Sequence, residues 1–462
     1  MMISLRNTAR SVAMGGVAAI ALMVSAGCNS VQDKLLEPQQ PQIINPGDIE
    51  NPTGALGLYT GAIGRLRTAL NGGNNNQETI WNFQGLMTDE FKSGDTFSQR
   101  NDADQRTTQS NDGVMGSTYN AVQQTRGRAR DAIVAMLKYT PEEKTKIGEM
   151  YLVMGFMELT LGQAFCNGIP LGETVDNLPA YTKPLTTKEV FQTAIARMDT
   201  ALTFLTGTDA QTVLVRKAVL LTKARALVNT DQYAAAAALV PAATVENTYQ
   251  YLITYSQTTQ SNEWWQMGTS TKRYTVGDSA DITGTIKNHL PFATANDPRV
   301  KVAAVKGRSF DSATPFYEFT MFAREDPLPM LSGLDARLIE AEAKLQAGDF
   351  AGMMTILNSL RTAPPKIGNF TVTAMTALTT TPTTKDAAAT LFFREKAFWQ
   401  FGRGERFNDL RRLVRQYGRP QDQVWPSGAF HKNGNYGTNV NFPVPDTEKA
   451  NTNFTGCIDR NA

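Results

Sequence analysis

Apolar residues recur every three or four positions along most of the chain, and this spacing predicts α-helices. One such helix is expected to open at Thr140, with Pro141 in its first turn. Another is expected to open at Thr186, because Glu189 completes a helix-capping pattern. Further helices are predicted near 51–70, 117–137, 212–229, 332–347, 350–362, 386–400 and 405–416. No predicted strand has comparable length or regularity, so the pattern indicates a mainly α fold.

Two stretches, 224–240 and 341–357, align with each other without gaps. Each has Ala-x-Ala on a first helix, a polar turn, an aromatic residue (Tyr233 or Phe350) and an apolar second helix. Small residues let paired helices approach closely, and the aromatic ring fills the space between them. This pattern is typical of a tetratricopeptide unit, and stacked units form a superhelix with exposed faces.

The stretch between these repeats, at about 241–331, has a different composition. It is rich in threonine, asparagine, glycine and aromatic residues and lacks a helical period. A long irregular segment inside a compact protein is usually functional. We therefore expect helical repeats at about 117–240 and 332–416 to form a tetratricopeptide-like superhelix, and this loop-rich segment to carry binding specificity.

Residues 1–27 have the features of a secretory signal peptide: a basic start, an apolar run and small residues before a cleavage point. The apolar run over 12–24 is shorter than the roughly 20 residues that a membrane-spanning helix needs. Ser25-Ala26-Gly27-Cys28 follows the run, and its Ala-Gly-Cys ending resembles a bacterial lipobox, so Cys28 is predicted to carry lipid. The alternative is ordinary cleavage with an unmodified cysteine. Residues 28–48 are rich in Gln, Pro and Asn and are predicted to form a flexible tether.

The charge and the remaining cysteines limit the possible partners and compartment. The chain has 45 basic and 43 acidic residues, and it has no basic footprint of the kind that nucleic acid requires. We therefore expect no nucleic-acid partner. If Cys28 carries lipid, Cys166 and Cys457 remain as a pair in an oxidising compartment, which favours a disulfide. The alternative is two separate buried thiols.

The sequence contains none of the catalytic or cofactor motifs that we sought. Its two histidines, His289 and His431, are far apart, and there is no Gly-x-Ser-x-Gly elbow or phosphate-binding glycine loop. We therefore expect no catalytic residue, metal or cofactor. One acidic stretch lacks the spacing of a calcium loop and is interpreted as solvated loop carboxylates. Its members are Asp89, Glu90, Asp95, Asp102, Asp104 and Asp112.

Sugar binding requires exposed aromatic faces, with amides and carboxylates nearby to meet the hydroxyls. Trp264 and Trp265 follow Asn262 and Glu263 and have this composition. Since adjacent side chains cannot easily both be buried on one face, at least one of these indoles is expected to be accessible. The alternative is that large aromatics pin long loops to the helical frame. The candidate ligand-binding residues are Trp81, Asn82, Asn262, Glu263, Trp264, Trp265 and Tyr274.

The segment 394–418 is similar to the late helical segment of the SusD/RagB family, in which Glu-Arg precedes Glu-Gly-x-Arg-x-x-Asp-Leu-x-Arg. The matching residues are Glu395, Gly404, Arg406, Asp409, Leu410 and Arg412. Arg403 stands where the family has glutamate. We interpret Arg406, Asp409 and Arg412 as residues that lock helices together. Further similar segments occur in the family's order at 161–171, Asp297-Pro298-Arg299, 335–361 and 440–454.

This resemblance implies that residues 49–462 form a SusD-like domain. It also implies a lipid-anchored, surface-facing protein of the outer membrane that captures oligosaccharide or peptide. The nutrient would then enter through a SusC-like TonB-dependent transporter. Two alternatives are a structural tetratricopeptide scaffold of the outer membrane and a surface glycosidase, which needs only two well-placed carboxylates.

Overall fold

The structure is a computed structural model that describes residues 50–73, 79–175, 178–258, 260–281, 284–303, 305 and 307–462. The predicted signal peptide, Cys28 and the tether lie outside the described residues. Within the described ranges the architecture is built from thirteen α-helices, and the longest strand has five residues. The predicted mainly α fold is therefore confirmed. In the same ranges, no helix combines the length and the apolar character needed to cross a bilayer.

The helices follow one another as packed neighbours. They are α1 (Pro52–Leu70), α2 (Ile80–Met87), α3 (Ser98–Gln105), α4 (Gly113–Tyr139), α5 (Lys144–Ala164), α6 (Thr187–Phe204), α7 (Ala210–Asn229), α8 (Tyr233–Leu239), α9 (Glu263–Trp265), α10 (Gly333–Gln346), α11 (Phe350–Thr362), α12 (Lys385–Trp399) and α13 (Glu405–Arg415). Helix α1 packs on α4, α4 on α5, α5 on α6, and α6 on α7. Helices α7, α8, α10 and α11 continue the series, as the predicted helical superhelix requires.

The two predicted repeat units are helical hairpins. Helices α7 and α8 form the first, and α10 and α11 form the second. Tyr233 and Phe350 begin the second helix of each hairpin, and both rings pack against the core while keeping part of their surface exposed. The second hairpin also has a side-chain cap, because Asp349 accepts a 2.8 Å hydrogen bond from the backbone N–H of Gly352.

Of the two helix starts predicted from capping residues, one is confirmed and the other is wrong. Thr186 and Glu189 form the predicted capping box at α6. The helix predicted to open at Thr140 instead begins at Lys144, so that prediction was wrong. The backbone N–H of Thr140 donates to the carbonyl of Met136 at 2.9 Å. Thr140 therefore completes the last turn of α4, and α5 begins four residues later without a side-chain cap.

Strands occur only as short antiparallel pairs in the described residues. They are β1 (Gly72–Gly73) with β6 (Ser261–Asn262), β2 (Phe91–Ser93) with β7 (Tyr274–Val276), β3 (Glu173–Val175) with β4 (Leu178–Ala180), β5 (Gln250–Ile253) with β10 (Leu328–Ser332), and β8 (Ala280–Asp281) with β9 (Gly284–Thr285). The β5–β10 pair joins the two ends of the loop-rich segment, so this segment leaves and rejoins the helical frame at one place.

The late helices are joined to the rest of the fold by buried ion pairs. Arg406 donates to Asp89 at 2.8 and 3.1 Å, and Lys396 donates to Asp409 at 2.6 Å. These contacts link α13 to the chain after α2 and to α12. The interpretation of Arg406 and Asp409 as helix-locking residues is confirmed.

Arg412 and Arg403 complete the same set of ion pairs. Arg412 forms a bidentate ion pair with Glu342 of α10. This contact confirms that Arg412 locks helices together, as predicted. Arg403, which replaces the family's glutamate, donates to Asp335 at 2.7 Å and to the carbonyl of Pro329 at 3.0 Å. Burial alone would raise the pKa of Asp335, but its arginine partners outweigh burial and hold that pKa below its ordinary value. Arg403, which stands where the family has glutamate, is therefore paired with the buried carboxylate of Asp335.

Cys166 and Cys457 are joined by a disulfide, with their Cα atoms 6.0 Å apart. The neighbouring chain segments also pair. Asn167 Nδ2 donates to Asp459 Oδ2 at 2.7 Å, and the N–H of Ile458 donates to the carbonyl of Asn167 at 2.8 Å. The C-terminal segment is thus held beside the end of α5 by covalent and hydrogen bonds together.

Candidate functional site

Most of the predicted ligand-binding residues lie in the core. Trp81, Asn82, Asn262, Glu263, Trp264 and Tyr274 are all buried. The ring of Trp264 stacks on Phe91 with centroids 4.3 Å apart, and its Nε1 donates to the carbonyl of Gly402 at 2.7 Å. These buried residues have no free face for a sugar ring, so the expectation that they form stacking platforms is corrected. The alternative, that the large aromatics pin loops to the frame, describes them.

Trp265 differs from its neighbour because part of its surface remains exposed. The guanidinium of Arg324 lies over its ring, 5.6 Å from the centroid. One indole of the adjacent pair is therefore accessible, as expected from the sequence. Its outward face is shared with an arginine, which leaves a smaller area for stacking.

The side-chain amide of Asn262 caps the N-terminus of α9. Its Oδ1 accepts from the N–H of Trp264 at 3.0 Å, and its Nδ2 donates to the carbonyl of Asp326 at 2.9 Å. Trp81 is similarly committed to packing against the turn before α13. A Cβ atom at Gly404 would lie 2.5 Å from Trp81 Cδ1, and Gly404 also has a φ of +73°. Only glycine fits both requirements.

The β2–β7 strand pair separates the core from a cavity. Phe91 and Tyr274 contact the aromatic core around Trp264. Lys92 pairs with Thr275 in the strand register, and both side chains line the cavity on the other face. Successive strand residues point to opposite faces. Tyr274, which was predicted to bind ligand, therefore faces the core, and its neighbour Thr275 lines the cavity.

The cavity has a volume of about 280 Å³ and is formed mainly by the loop-rich segment. It is lined by Lys92, Thr275, Val276, Ala280, Thr314, Pro315, Tyr317 and His431. The Thr275 hydroxyl donates to the carbonyl of Pro315 at 3.0 Å and accepts from the N–H of Tyr317 at 2.7 Å. These bonds fix the segment that carries two further lining residues.

A hairpin over 308–315 forms one wall. The N–H of Ser309 donates to the carbonyl of Thr314 at 2.8 Å. Asp311 accepts from the Thr314 hydroxyl at 2.6 Å and from Lys432 Nζ at 2.8 Å. Burial alone would raise the pKa of Asp311, but these hydrogen bonds outweigh it and lower the pKa to about 2. The hairpin is thereby attached to the C-terminal loop that supplies His431.

His431 is oriented by an aspartate from α3. Its Nε2 lies 2.9 Å from Asp104 Oδ2, which also accepts from the N–H of Ser93 at 2.6 Å. The second histidine, His289, lies 5.6 Å from the ring of Tyr436, in the same part of the fold. Burial lowers the pKa of His289 to about 4. Across the described residues, no group of three or more potential metal ligands comes together.

Two phenylalanines with exposed rings lie at the edge of this region, and the sequence analysis missed them. Phe97 is 41% exposed and Phe310 is 48% exposed. The guanidinium of Arg273 lies 3.9 Å from the Phe310 centroid, and that of Arg100 lies 5.4 Å from the Phe97 centroid. Both arginines bind the buried carboxylate of Asp95. Each phenylalanine ring therefore has an arginine guanidinium against it, and Asp95 binds both guanidinium groups.

The acidic stretch is mostly buried, which corrects its interpretation as solvated loop carboxylates. Asp89, Glu90, Asp95 and Asp104 are all buried. Three of them bind arginine or histidine side chains, as described above. Glu90 instead accepts from the N–H of Gly402 at 2.8 Å. Burial, together with the nearby charge of Asp89, raises the pKa of Glu90 to about 8 despite that hydrogen bond.

Known proteins similar to this chain were found by structure alone. No protein-family model matches the chain, and no curated protein matches it. A surface glycan-binding protein A from Bacteroides uniformis superposes with a TM-score of 0.64 at 14% identity, covering 88% of this chain and 99% of that one. A SusD superfamily protein from Bacteroides fragilis gives 0.62 at 12% identity, covering 88% and 99%.

A SusD-like carbohydrate-binding protein from Bacteroides vulgatus gives a TM-score of 0.61 at 14% identity, covering 88% of this chain and 97% of that one. These superpositions extend over nearly the whole of each similar structure, so they include both the helical repeats and the loop-rich segment. The chain therefore has the fold of the SusD superfamily.

Proposed function

We propose that this protein is a lipid-anchored, surface-facing protein of the outer membrane that binds a glycan or peptide nutrient for a SusC-like TonB-dependent transporter. The observation that carries the proposal is the 280 Å³ cavity in the loop-rich segment of a SusD-like fold. Similar structures are named for binding surface glycans and carbohydrates. Their similarity supports the same class of ligand here.

The cavity and its surroundings suit one unit of an oligosaccharide with neighbouring units outside. Its volume of about 280 Å³ lies just below the roughly 300–1,000 Å³ that ligand pockets span. Tyr317 offers a half-buried aromatic side chain inside it. Phe310 lies on the hairpin whose Thr314 and Pro315 line the cavity, so its exposed ring is placed to stack on an adjoining unit.

Ligand binding is tested with the full chain carrying Cys28→Ser, screened against arrays of glycans and peptides. A ligand identified there is titrated by calorimetry against Tyr317→Ala and Phe310→Ala. Each substitution should weaken binding about fivefold or more, because a lost aromatic contact costs ~1 kcal/mol. Tyr181→Ala is the matched control, since Tyr181 is 47% exposed and lies outside the cavity lining. Unchanged affinity in both site variants would refute this placement of the ligand.

The anchor and the partner are tested in cells that carry the protein's own transporter genes. Wild-type protein should fractionate with the outer membrane and copurify with a TonB-dependent barrel. Cys28→Ser should move to the soluble fraction, because the acyl chains that hold a lipoprotein to the bilayer would be lost. A wild-type protein that is already soluble, or that copurifies with no barrel, would contradict this part of the proposal.

A further inference from the structure

Phe97 and Phe310 present two exposed rings from neighbouring segments at the edge of the cavity. These segments are hydrogen-bonded to each other, because the N–H of Asp311 donates to the carbonyl of Gly94 at 2.9 Å. The N–H of Phe310 also donates to the carbonyl of Lys272 at 3.0 Å, which fixes the backbone that carries its ring. The two rings therefore offer apolar faces that the C–H groups of a sugar can cover.

One buried carboxylate holds the arginines that lie against both rings. Asp95 binds Arg273 at 2.7 Å and also binds Arg100, and its side chain is fully buried. Its Oδ1 accepts from the N–H of Phe97 at 3.2 Å as well. Burial alone would raise the pKa of Asp95, but the two arginines outweigh burial and hold that pKa below its ordinary value. The carboxylate is therefore ionised at neutral pH and can keep both guanidinium groups in place.

A single lysine joins this arrangement to the cavity wall. Lys432 directly follows His431, which lines the cavity. Its Nζ donates to the backbone carbonyl of Asp95 and binds the Asp311 carboxylate at 2.8 Å. The loop that supplies the cavity histidine is thereby fixed to both segments that carry the rings. A ligand with one unit in the cavity therefore has both rings on the same edge of the site.

Holding the rings in place lowers the cost of binding. A side chain that is free to rotate must be ordered when a sugar stacks on it, and this ordering weakens affinity. A guanidinium packed on one face of each ring removes part of that freedom and leaves the opposite face for a ligand. The rings are thus ordered before the ligand arrives.

We propose that Phe97 and Phe310 form a two-ring platform beside the cavity, and that the ligand is a linear oligosaccharide of about three units or more. Asp95 is a positioning residue, which touches no ligand and acts through both rings. This inference rests on the proposed function, because it takes the cavity to hold one unit of a glycan. It adds the length of the ligand and the residue that orients the platform.

The test measures affinity against chain length. Linear cello-, xylo-, manno- and galacturono-oligosaccharides, from the monosaccharide upward, are titrated by calorimetry into the full chain carrying Cys28→Ser. In a series that binds, affinity should rise until the ligand has about three units and then level off. Phe97→Ala and Phe310→Ala should each lower the affinity for the trisaccharide about fivefold and leave that for the monosaccharide unchanged.

Asp95→Asn separates positioning from contact. It removes the charge that holds both arginines, so the affinity for the trisaccharide should fall about tenfold while that for the monosaccharide is unchanged. In a Phe97→Ala/Phe310→Ala background the same substitution should have almost no further effect on affinity, because the rings through which it acts are gone. Arg273→Met frees only the Phe310 ring and should give a smaller loss. It also tests the platform if Asp95→Asn does not fold.

Asp335→Asn is the matched control, because Asp335 is also buried and binds two arginines, Arg403 and Arg225. It lies in the helical frame and does not line this cavity. This variant should lower the melting temperature and leave the dependence of affinity on chain length unchanged. Circular dichroism and melting temperature confirm that each variant is folded.

The outcomes separate the two proposals. Affinity that does not change with chain length, with Tyr317→Ala weakening every ligand, would overturn the platform and leave the glycan site in place. A full additional loss from Asp95→Asn in the background without the rings would overturn its positioning role. Failure of every saccharide to bind, or binding of peptides alone, would count against the glycan site and the platform together.

Discussion

The helical frame and the loop-rich segment are stabilised by different interactions. In the frame, buried ion pairs such as Arg412–Glu342 join helices that are far apart in sequence. In the loop-rich segment, stacked rings such as Trp264 on Phe91 hold a backbone that has little regular hydrogen bonding. Ion pairs fix the relative orientation of rigid helices, whereas aromatic packing supplies buried area to a segment whose one helix, α9, has three residues. The loop-rich segment should therefore depend on a few large contacts.

Trp264→Ala should give the largest effect. It removes a fully buried indole, its stacking on Phe91 and its hydrogen bond to Gly402. We expect the free energy of unfolding to fall by about 4–5 kcal/mol, measured by guanidinium denaturation. Hydrogen exchange should show lost protection in the loop-rich segment before the helical frame.

Trp265→Ala is the matched control for this prediction, because it removes the same side chain from the next residue. Trp265 is half-buried, so we expect a loss of about 1 kcal/mol. Equal losses in the two variants, or uniform loss of protection after Trp264→Ala, would show that the segment is held by many small contacts.

Arg412→Met tests the frame. It leaves the Glu342 carboxylate buried and without its main partner, which should cost about 3–4 kcal/mol in the free energy of unfolding. Arg419→Met is the control, because Asp386, the partner of Arg419, has an 81% exposed side chain. That variant should lose less than about 1 kcal/mol. Similar losses in both variants would mean that burial of the pair does not determine its contribution.

The Cys166–Cys457 disulfide allows a further stability prediction that involves neither the ion pairs of the frame nor the ring packing of the loop-rich segment. Peptide mapping without reductant should recover the two cysteines as one linked peptide. Replacing both by serine should lower the free energy of unfolding by about 2–4 kcal/mol, because a bridge between residues 291 positions apart restricts the unfolded chain. Free thiols in the purified protein would contradict the bridge, and an unchanged stability would show that it does not constrain unfolding.

Glu90 should make stability depend on pH near neutrality. Its pKa is raised from about 4.5 to about 8 in the folded protein, so the folded state holds a proton that the unfolded state has released. Stability is therefore fully present below about pH 4.5 and is lost as pH rises to about 8.

Glu90→Gln should remove this slope, because glutamine retains an acceptor for the N–H of Gly402 and cannot ionise. Denaturation midpoints measured from pH 5 to 8.5 would check the prediction. A wild-type slope that persists in the variant would assign the dependence to another group.

The helical frame could be predicted from the sequence because its helices have one apolar face. The helix predicted near 350–362 agrees with α11, and that near 405–416 differs from α13 by one residue at its end. Helices α2 and α3 were not predicted, for opposite reasons. All eight residues of α2 are buried, and α3 is almost entirely polar, so neither shows the alternation of faces that predicts a helix.

The site was less predictable because composition does not reveal burial. Trp264 and Trp265 are identical residues next to each other, yet the hydrogen bond from Trp264 to Gly402 draws only one of them into the core. In β7, Tyr274 lies in the core and its neighbour Thr275 lines the cavity, but a three-residue strand is too short to show such a pattern in the sequence. Lys92 and His431 meet at one cavity only through the tertiary fold.

The bond between Cys166 and Cys457 makes the chain between them a closed covalent ring. The loop-rich segment and the late helices all lie inside this ring. If a protease cuts one exposed peptide bond there, for example beside Phe310, the two resulting pieces remain joined. A second cut is needed to release a fragment. The loop-rich segment can therefore be nicked once without any part of the protein being lost.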